Sequence, residues 1–363
     1  MTYHYCKMNN YIKNLKKYTK RGDFFEGDWY NFKEPFNKTL SYKNSEDGML
    51  YWLKEVAKYH TNENTGSPYW VMKAGVKGIT PEKIDDTTNL DELVSLLGNS
   101  DLEFLKRDNG YKDYYMPKNL KLDDMFRSSS SGTTGPAKTV YHTPQSLLVS
   151  AINEYTGLKA QYPIKNLKNK KLLAAGPLGA YQEEHKKLAE LLGMEYIGNG
   201  FETKGLKLLS IGQMKQVMEP IMKMEIDKLN NGDIGLATAA MEMLALVPKD
   251  IFYNADLIKV SGTQITADRL EKVKNEIGRP LIPMYGHYAG KSSIGVIGNY
   301  GVITYFPPFP LTYIQVSSEE NTPTKMIVAE PELLIISDED YASKDRTIKA
   351  FKPIEGISDL SRA

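Results

Sequence analysis

The sequence has 363 residues, of which 41% are hydrophobic and 25% charged, as in an ordinary globular protein. Lysine plus arginine (46) balances aspartate plus glutamate (45), and the net charge of +1 argues against a general binder of nucleic acids or membrane surfaces. Cys6 is the single cysteine, which excludes an intramolecular disulfide and favours a reducing compartment. We see no apolar run of signal-peptide length and none near the ~18 residues of a membrane span, so we expect a cytoplasmic protein.

Residues 1 to about 120 are polar and aromatic, and helical periodicity appears only in short pieces. One piece, Glu46–Tyr59, places its apolar residues on one side of a predicted helix. Another, Leu90–Leu97, is bounded by Asn89 and Gly98 as plausible caps. We therefore expect residues 1–120 to form a helical layer packed on a core, with no chemistry of its own.

From residue 121 onward, short apolar runs alternate with helical patterns. The predicted helices are Tyr181–Leu192 and Ala267–Ile277, the second capped by Thr266 and ended by Gly278. This alternation is typical of βαβ units with a mostly parallel sheet. An apolar stretch, Met241–Val247, follows one of the runs. The predicted strands are Lys171–Gly176, Met194–Gly198, Ile234–Ala240, Leu257–Ser261 and Pro280–Gly286.

The C-terminal part has strands without intervening helices. Tyr313–Val316, Lys325–Ala329 and Leu333–Ser337 are separated by polar turns, which predicts an antiparallel region added to the parallel core. We see no repeats and no long linker. The predicted fold class is therefore α/β, with residues 121–363 forming the nucleotide-binding core and the N-terminal layer completing one composite domain.

The segment Arg127-Ser-Ser-Ser-Ser-Gly-Thr-Thr-Gly-Pro-Ala-Lys138 has the composition of a phosphate-binding loop. Glycine lets the backbone approach closely, so that successive N–H groups can point at one anion. Hydroxyl groups add donors, and Lys138 adds a positive charge. A flexible linker is the alternative, but a linker has no need of a lysine so close behind Thr-Thr-Gly. The predicted phosphate-binding residues are Ser130, Ser131, Gly132, Thr133, Thr134, Gly135 and Lys138, and of these Thr133 and Lys138 are predicted to act in catalysis.

Two classes of nucleotide-binding loop compete for this segment. The P-loop pattern GxxxxGK[ST] is missed by one residue, because Ala137 stands where glycine belongs. A P-loop lysine opens a helix, and Pro144 would break such a helix. The sequence instead predicts a short strand, Thr139–His142, and then a helix with Thr143 as its N-cap and Pro144 at its first position. The P-loop is therefore disfavoured.

The segment Ser131–Thr139 resembles the loop SGTTGxPKG of the adenylate-forming superfamily, which comprises acyl-CoA synthetases, luciferases and peptide-synthetase adenylation domains. Ala137 replaces the family's proline and Thr139 its final glycine, whereas Lys138 matches its lysine. The compact chain is similar in character to phenylacetate-CoA ligases and to the acyl-protein synthetases of bacterial bioluminescence. The resemblance implies the large ATP-binding domain, since the chain ends at Ala363, where the family's small C-terminal domain would begin.

A second family motif, roughly YGxTE, closes a strand and lines the adenine pocket. Tyr285-Gly286-His287-Tyr288-Ala289 stands about 150 residues downstream, where that motif is expected. The strand pattern independently puts Ser261 and Gly286 at the carboxyl ends of neighbouring parallel strands, where open α/β sheets bind ligands. A core position for Tyr285 is the alternative. The resemblance implies adenine contacts from Tyr285, Gly286, Gly262, Thr263 and Gln264.

The sequence departs from the family at the metal site. Ala289 stands where the family has a glutamate that helps to hold Mg²⁺, and alanine cannot ligate a metal. Either another carboxylate replaces that glutamate, or metal-assisted chemistry is impaired, so the metal ligands stay unknown. Near the C-terminus the family has an aspartate that binds the ribose hydroxyls. Asp359 in Gly356–Asp359 matches it, and an unremarkable tail position is the alternative.

The loop after the first predicted parallel strand corresponds to the family's acyl-binding loop. The resemblance implies that Tyr181 and His185 contact the acid substrate and that His287 acts as a local donor. The alternatives are that His185 lies on the polar side of the helix Tyr181–Leu192 and that His287 is structural.

These inferences predict ATP-dependent activation of a small carboxylic acid to an acyl-adenylate, followed by transfer to coenzyme A or another thiol. ATP is the expected cofactor, and Ala289 makes Mg²⁺ doubtful. The alternative is a catalytically impaired module that binds a nucleotide or an acyl-adenylate and acts with a separate small catalytic domain or a carrier. We expect neither a nucleic-acid partner nor a membrane partner.

Overall fold

The structure, a computed structural model, describes residues 2–20, 23–130, 136–201, 216, 233–240, 254–261, 265–297, 303–315, 324–339 and 357–358. The α-helices of this part of the chain are α1 Thr2–Thr19, α2 Lys33–Thr39, α3 Ser45–Thr61, α4 Pro68–Lys77, α5 Pro81–Asp86, α6 Leu90–Leu97, α7 Pro144–Gln161, α8 Ala180–Leu192 and α9 Ala267–Ile277. The strands are β1 Phe126–Ser129, β2 Thr139–His142, β3 Lys171–Pro177, β4 Glu195–Phe201, β5 Ile234–Ala240, β6 Leu257–Ser261, β7 Leu281–His287, β8 Lys291–Ile297, β9 Ile303–Phe306, β10 Thr312–Gln315, β11 Thr324–Ala329, β12 Leu334–Glu339 and β13 Ile357–Ser358.

The N-terminal third is more helical than its sequence indicates. The predicted helices α3 and α6 are confirmed, and the Asn89 side chain caps α6 by accepting a hydrogen bond from Glu92 N–H at 2.9 Å. Helix α1 was not predicted, because its lysines and asparagines conceal a narrow apolar face. That face buries Tyr11, Leu15 and Tyr18.

Tryptophan side chains join the N-terminal helices to the rest of the chain. Trp52 of α3 donates its indole N–H to the Ala329 carbonyl at 2.8 Å, and Trp70 of α4 donates to the Leu334 carbonyl at 2.7 Å. Both rings are fully buried, and the same apolar core continues into β10, β11 and β12. The limits of a separate N-terminal layer, and the single composite domain, stay predictions.

The central sheet has eight strands in the order β13-β9-β8-β7-β6-β5-β3-β4. The strands from β4 to β7 are mutually parallel, as the alternation of apolar runs and helices predicts. A tight turn after β7 reverses the chain, so that β8 and β9 extend the sheet antiparallel. This extension was not predicted, because the turn at 288–290 has no glycine-rich signature beyond Gly290.

The predicted C-terminal strands form a separate antiparallel sheet in the order β10-β11-β12. The observed architecture is thus a mixed α/β fold with a parallel core and added antiparallel strands, which confirms the predicted fold class. Over the described residues, none of the helices combines the length and the apolar character that crossing a membrane requires.

The buried tryptophans lead to a test of how the two parts of the chain hold together. In Trp70→Phe the Leu334 carbonyl loses its donor and the core loses part of a ring, which we expect to lower the free energy of unfolding by about 2–4 kcal/mol. The control is Val76→Ala on the same helix, where the side chain is 84% exposed and the expected change is below about 0.5 kcal/mol. Urea denaturation measures both, and equal stabilities for the two variants would contradict the role given to Trp70.

Candidate functional site

The carboxyl ends of the parallel strands lie at one edge of the central sheet. Strand β3 pairs with β4 on one side and with β5 on the other. The chain runs from β3 to β4 on one side of β3 and later returns to β5 on the other side. The end of β3 is therefore a topological switch point. Ligands of open α/β sheets bind in the crevice at such a point.

The predicted phosphate loop lies between two paired strands, which together we call the phosphate-loop hairpin. Strands β1 and β2 pair antiparallel, and two hydrogen bonds close the neck: Ser130 N–H donates to the Lys138 carbonyl at 2.8 Å, and Lys138 N–H donates to Ser130 Oγ at 2.9 Å. A strand follows Lys138 instead of a helix, which confirms the rejection of the P-loop. The tip residues Ser131, Gly132, Thr133, Thr134 and Gly135 lie outside the described residues, and their roles stay predictions.

The ammonium group of Lys138, a residue of this neck, is available to bind an anion. Within the described part of the chain, its ammonium group forms no salt bridge, although its charge reaches the helical segment 102–106. There a hydrogen bond from Lys106 and, more weakly, the charge of Lys138 lower the pKa of the Glu103 carboxyl. An ammonium group without a committed partner suits a bound anion.

The phosphate-loop hairpin and the predicted acid-binding loop meet backbone to backbone. Gly179, between β3 and α8, has a φ of 93°, and a Cβ at this position would lie 2.3 Å from the Arg127 carbonyl oxygen of β1. Glycine is therefore required both by the conformation and by the space. This contact holds the hairpin at the carboxyl end of β3, where the crevice is expected.

Tyr181 and His185 lie one turn apart at the start of α8, and their acid-binding role stays a prediction. Their rings pack with centroids 4.1 Å apart, and His185 Nδ1–H donates to the Tyr181 carbonyl at 2.7 Å. His185 Nε2 accepts from the Lys259 ammonium at 2.8 Å. Burial and the charge of Lys259 hold the pKa of His185 well below its usual value, so the ring is neutral. His185 is 1% exposed, and its placement on a polar helix face was wrong.

A continuous seam of buried polar groups, which we call the α7 seam, runs along the inner face of α7. Three residues of this helix, each four positions from the next, bind three different elements. Their partners are Glu332 beyond β11 for Ser146, Glu184 of α8 for Ser150, and Lys259 of β6 for Glu154. The sequence analysis missed this seam. The repeated spacing of Ser146, Ser150 and Glu154 was the signal that could have revealed it.

Glu184 is the member of the seam whose ionisation is most perturbed. Its carboxylate accepts hydrogen bonds from Ser150 Oγ and, at 3.3 Å, from Ser292 Oγ. Burial, followed by repulsion from Glu154, raises the pKa of Glu184 to about 7. The seam thus holds a carboxyl group that titrates near neutral pH.

The turn after β7 carries the second predicted motif. Tyr285 is 6% exposed and packs edge-on against Tyr305, whereas a Cβ at Gly286 would meet open space. His287 Nδ1 accepts hydrogen bonds from the N–H groups of Ala289 (3.2 Å) and Gly290 (3.1 Å), which is a structural task. The adenine role of Tyr285 and the donor role of His287 stay predictions.

Ala289 itself does not fit a metal. Its methyl group is fully buried and offers no ligand atom, so the position of the family's glutamate supplies nothing to Mg²⁺. The remaining predicted residues, Gly262, Thr263, Gln264 and Asp359, lie outside the described residues.

A group of buried charges surrounds the base of the phosphate-loop hairpin. His142 ends β2, Glu330 and Glu332 lie between β11 and β12, and Lys291 begins β8. Lys291 forms an ion pair with Glu330, and burial lowers its pKa to about 8 although Glu332 and Glu184 oppose the shift. Burial and the charge of Lys291 lower the pKa of His142 well below its usual value.

Residues at the start of α7 contact the same group of buried charges. The Thr143 hydroxyl accepts a hydrogen bond from Ser146 N–H at 3.3 Å, and Pro144 is the first helical residue, so both predicted roles are confirmed. Trp29 of the N-terminal helices donates to the same hydroxyl at 3.0 Å.

Comparisons with known proteins bear on the fold. No protein-family model and no curated protein matches the sequence. Among solved structures, 2-hydroxyisobutyryl-CoA ligase in its postadenylation state, in complex with an adenylate, aligns with a TM-score of 0.56 and 10% identity over 88% of this chain and 66% of that one. The same ligase in an open conformation with 2-HIB-AMP and CoA gives a TM-score of 0.54 and 10% identity over 87% and 68%.

The protein therefore has the fold of an adenylate-forming ligase, as the resemblance of its Ser/Thr-rich loop implies. It spans 66% of the length of the first of these ligase chains. The likeness, at 10% identity, concerns the architecture.

Glu184 generates a prediction for stability as a function of pH. Its pKa is about 7 in the folded protein, whereas an unfolded glutamate titrates near its ordinary value of 4.5. The folded state therefore holds more protons between these values, and the free energy of unfolding falls as the pH rises from 4.5 to 7. In Glu184→Gln this component, roughly 1–3 kcal/mol, is expected to disappear.

Urea denaturation across this pH range makes the comparison. Glu190→Gln is the matched control, because Glu190 is exposed on the same helix and should leave the pH dependence of the wild type unchanged. An identical pH dependence in Glu184→Gln and the wild type would show that the Glu184 carboxyl titrates normally.

Proposed function

We propose that the protein activates a carboxylic acid with ATP, forming an acyl-adenylate and pyrophosphate. The observation that carries the proposal is the contact of Gly179 with Arg127, which brings the phosphate-loop hairpin onto the carboxyl end of β3. The loop predicted to bind phosphate and the loop predicted to bind the acid are thereby neighbours at one topological switch point.

The proposal assigns a task to each side of the crevice. The hairpin tip and Lys138 would hold the β and γ phosphates, and the β7 end, with Tyr285 and Gly286, would border the adenine. The open space beside Gly286 and the positive charge of Lys138 fit a nucleotide. Gly262, Thr263 and Gln264 would meet the adenine edge, and Asp359 the ribose.

The acid would lie near the start of α8. A carboxylate is already an adequate nucleophile at neutral pH, so this chain would contribute orientation and neutralisation of phosphate charge. Tyr181 is half-buried there and would contact the acid, whereas His185 lies behind it and would act through Tyr181. Coenzyme A or another thiol would then accept the acyl group, as in the acyl-CoA ligases that share the fold.

A second candidate function is nucleotide binding without turnover. The buried methyl group of Ala289 favours it, because the position that would ligate Mg²⁺ carries no donor. Such a module would act with a separate catalytic domain or a carrier. Exchange of labelled pyrophosphate into ATP, measured with a panel of carboxylic acids, separates the two: exchange by the chain alone establishes activation, and binding of ATP without exchange favours the module.

The first test of the site concerns Lys138. Removing its ammonium in Lys138→Ala should weaken ATP binding by about 10- to 100-fold, because a charge-assisted contact to phosphate is lost. Isothermal titration calorimetry measures the affinity, and Lys121→Ala, at an exposed lysine just before the hairpin, is expected to leave it unchanged. Equal affinities for Lys138→Ala and the wild type would remove the hairpin from the proposed site.

The second test concerns the contact between the two loops. A methyl group in Gly179→Ala would collide with the Arg127 carbonyl, so the hairpin must move and ATP affinity should fall at least about tenfold. Gly278→Ala is the control, since Gly278 also has a positive φ (70°) but a Cβ there meets nothing within 4 Å. Both variants should lose about 1–2 kcal/mol of stability through backbone strain. Equal ATP affinities for the two would refute the proposed geometry.

A further inference from the structure

Three ligand-type side chains converge at the base of the phosphate-loop hairpin. His142, Glu330 and Glu332 are each at most 1% exposed, and one nitrogen or oxygen atom from each lies within 4.8 Å of those of the other two. They come from β2 and from the turn between β11 and β12, so their proximity is a product of the fold. Nothing in the proposed adenylation chemistry uses them.

Each ring nitrogen of His142 faces an acceptor. Nε2 lies 3.1 Å from the Tyr288 carbonyl, and Nδ1 lies 3.1 Å from Glu330 Oε2. A neutral ring carries one proton and a carbonyl can only accept, so a proton on Nε2 leaves the lone pair of Nδ1 facing a carboxylate oxygen. A second ring proton or a metal ion between Nδ1 and Oε2 would each resolve this contact.

The two carboxylate oxygen atoms of Glu332 differ in their surroundings. Its Oε1 accepts hydrogen bonds from the N–H and hydroxyl groups of Thr143, both at 2.9 Å, and from Ser146 Oγ. Its Oε2 is buried and has no hydrogen-bond partner among the residues that the structure describes. A carboxylate oxygen in that position costs free energy unless a cation or a donor reaches it.

Two fully buried carboxylates, those of Glu330 and Glu332, face the ammonium group of Lys291. Buried carboxylates are normally paired or coordinate a metal. The ion pair with Lys291 engages Glu330 Oε1, so Oε2 remains on the side of His142.

We propose that His142 Nδ1, Glu330 and Glu332 bind one divalent transition-metal ion of the Zn²⁺ or Mn²⁺ kind. The 3.1 Å between Nδ1 and Oε2 is close to the ~3.3 Å that separates two ligands at ~2.0 Å from a tetrahedral metal. The Nε2 proton bound to a backbone carbonyl and the hydrogen-bonded Oε1 of Glu332 are the supports that metal ligands normally have. The imidazole nitrogen favours Zn²⁺ or Mn²⁺ over Mg²⁺.

A metal ion at this point would join elements on both sides of the crevice. It would fix the end of β2 to the turn between β11 and β12. The hydrogen bond of His142 Nε2 with the Tyr288 carbonyl would connect the same site to the turn after β7. The neck of the phosphate-loop hairpin lies on β2, so the ion would hold the hairpin in place. It is distinct from a nucleotide-bound Mg²⁺, because three side chains of the protein supply its ligands.

The test is a Zn²⁺ titration of chelator-treated protein without nucleotide, followed by calorimetry. We expect one equivalent to bind and to raise the melting temperature, since a ligand of the folded state stabilises it. Binding of Co²⁺ should produce a visible absorption band of a four- or five-coordinate ion. Glu332→Gln should weaken Zn²⁺ binding at least tenfold, whereas Glu190→Gln, which alters an exposed glutamate of α8, should bind as the wild type does.

Two outcomes would overturn the proposal: no stoichiometric Zn²⁺ or Mn²⁺ binding by the wild type, or equal Zn²⁺ affinity in Glu332→Gln and the wild type. If Glu332→Gln does not fold, ¹⁵N NMR of the ring nitrogens in the wild type decides. Metal-bound Nδ1 shifts at His142 after Zn²⁺ addition support the site. An imidazolium pattern that Zn²⁺ leaves unchanged shows that a second proton fills the gap. ATP binding is measured separately, so failure here leaves the proposed function standing.

Discussion

An ionised carboxylate cannot be buried without a partner, and α7 carries one, Glu154, into the middle of the protein. The cost of an isolated buried charge is several kcal/mol, so the Lys259 ammonium of β6 must lie against it. Lys259 in turn donates to the neutral ring of His185 on α8. Helix α7, strand β6 and helix α8 therefore have to assemble in one arrangement, because any other would leave a buried charge without a partner.

The same constraint reaches both sides of the crevice. Ser150 binds Glu184 of α8, beside the predicted acid-binding loop, and Ser146 binds Glu332, at the base of the phosphate-loop hairpin. Ser292 of β8 also donates to Glu184, which brings the strand after the predicted adenine motif into the network. A single helix thus connects the elements that carry the predicted phosphate loop, the predicted acid-binding loop and the predicted adenine motif.

The sequence predicted those features that depend on local chemistry. Helices α6 and α9 begin and end at their predicted residues, because Asn89, Thr266 and the following glycines cap them within the chain itself. The strand after Lys138 and the N-cap Thr143 were predictable for the same reason, whereas β1, which completes the hairpin, was not predicted. Residues whose role depends on distant partners were not: Glu330 and Lys291 show no signal in their own segments, and the polar side assigned to the helix of His185 was the buried one.

A buried ionic network is not required for stability, since well-packed apolar residues of similar volume often serve as well or better. Hydrogen bonds and ion pairs add a requirement for one relative orientation of the elements that they join. An apolar face of α7 would tolerate a small rotation or a shift along the sheet, whereas Ser146, Ser150 and Glu154 meet their partners in one register. Orientation is what the proposed chemistry asks of this chain, because a carboxylate and a phosphate react when they are held in line and close together. The α7 seam and the Gly179 contact would both contribute to that orientation.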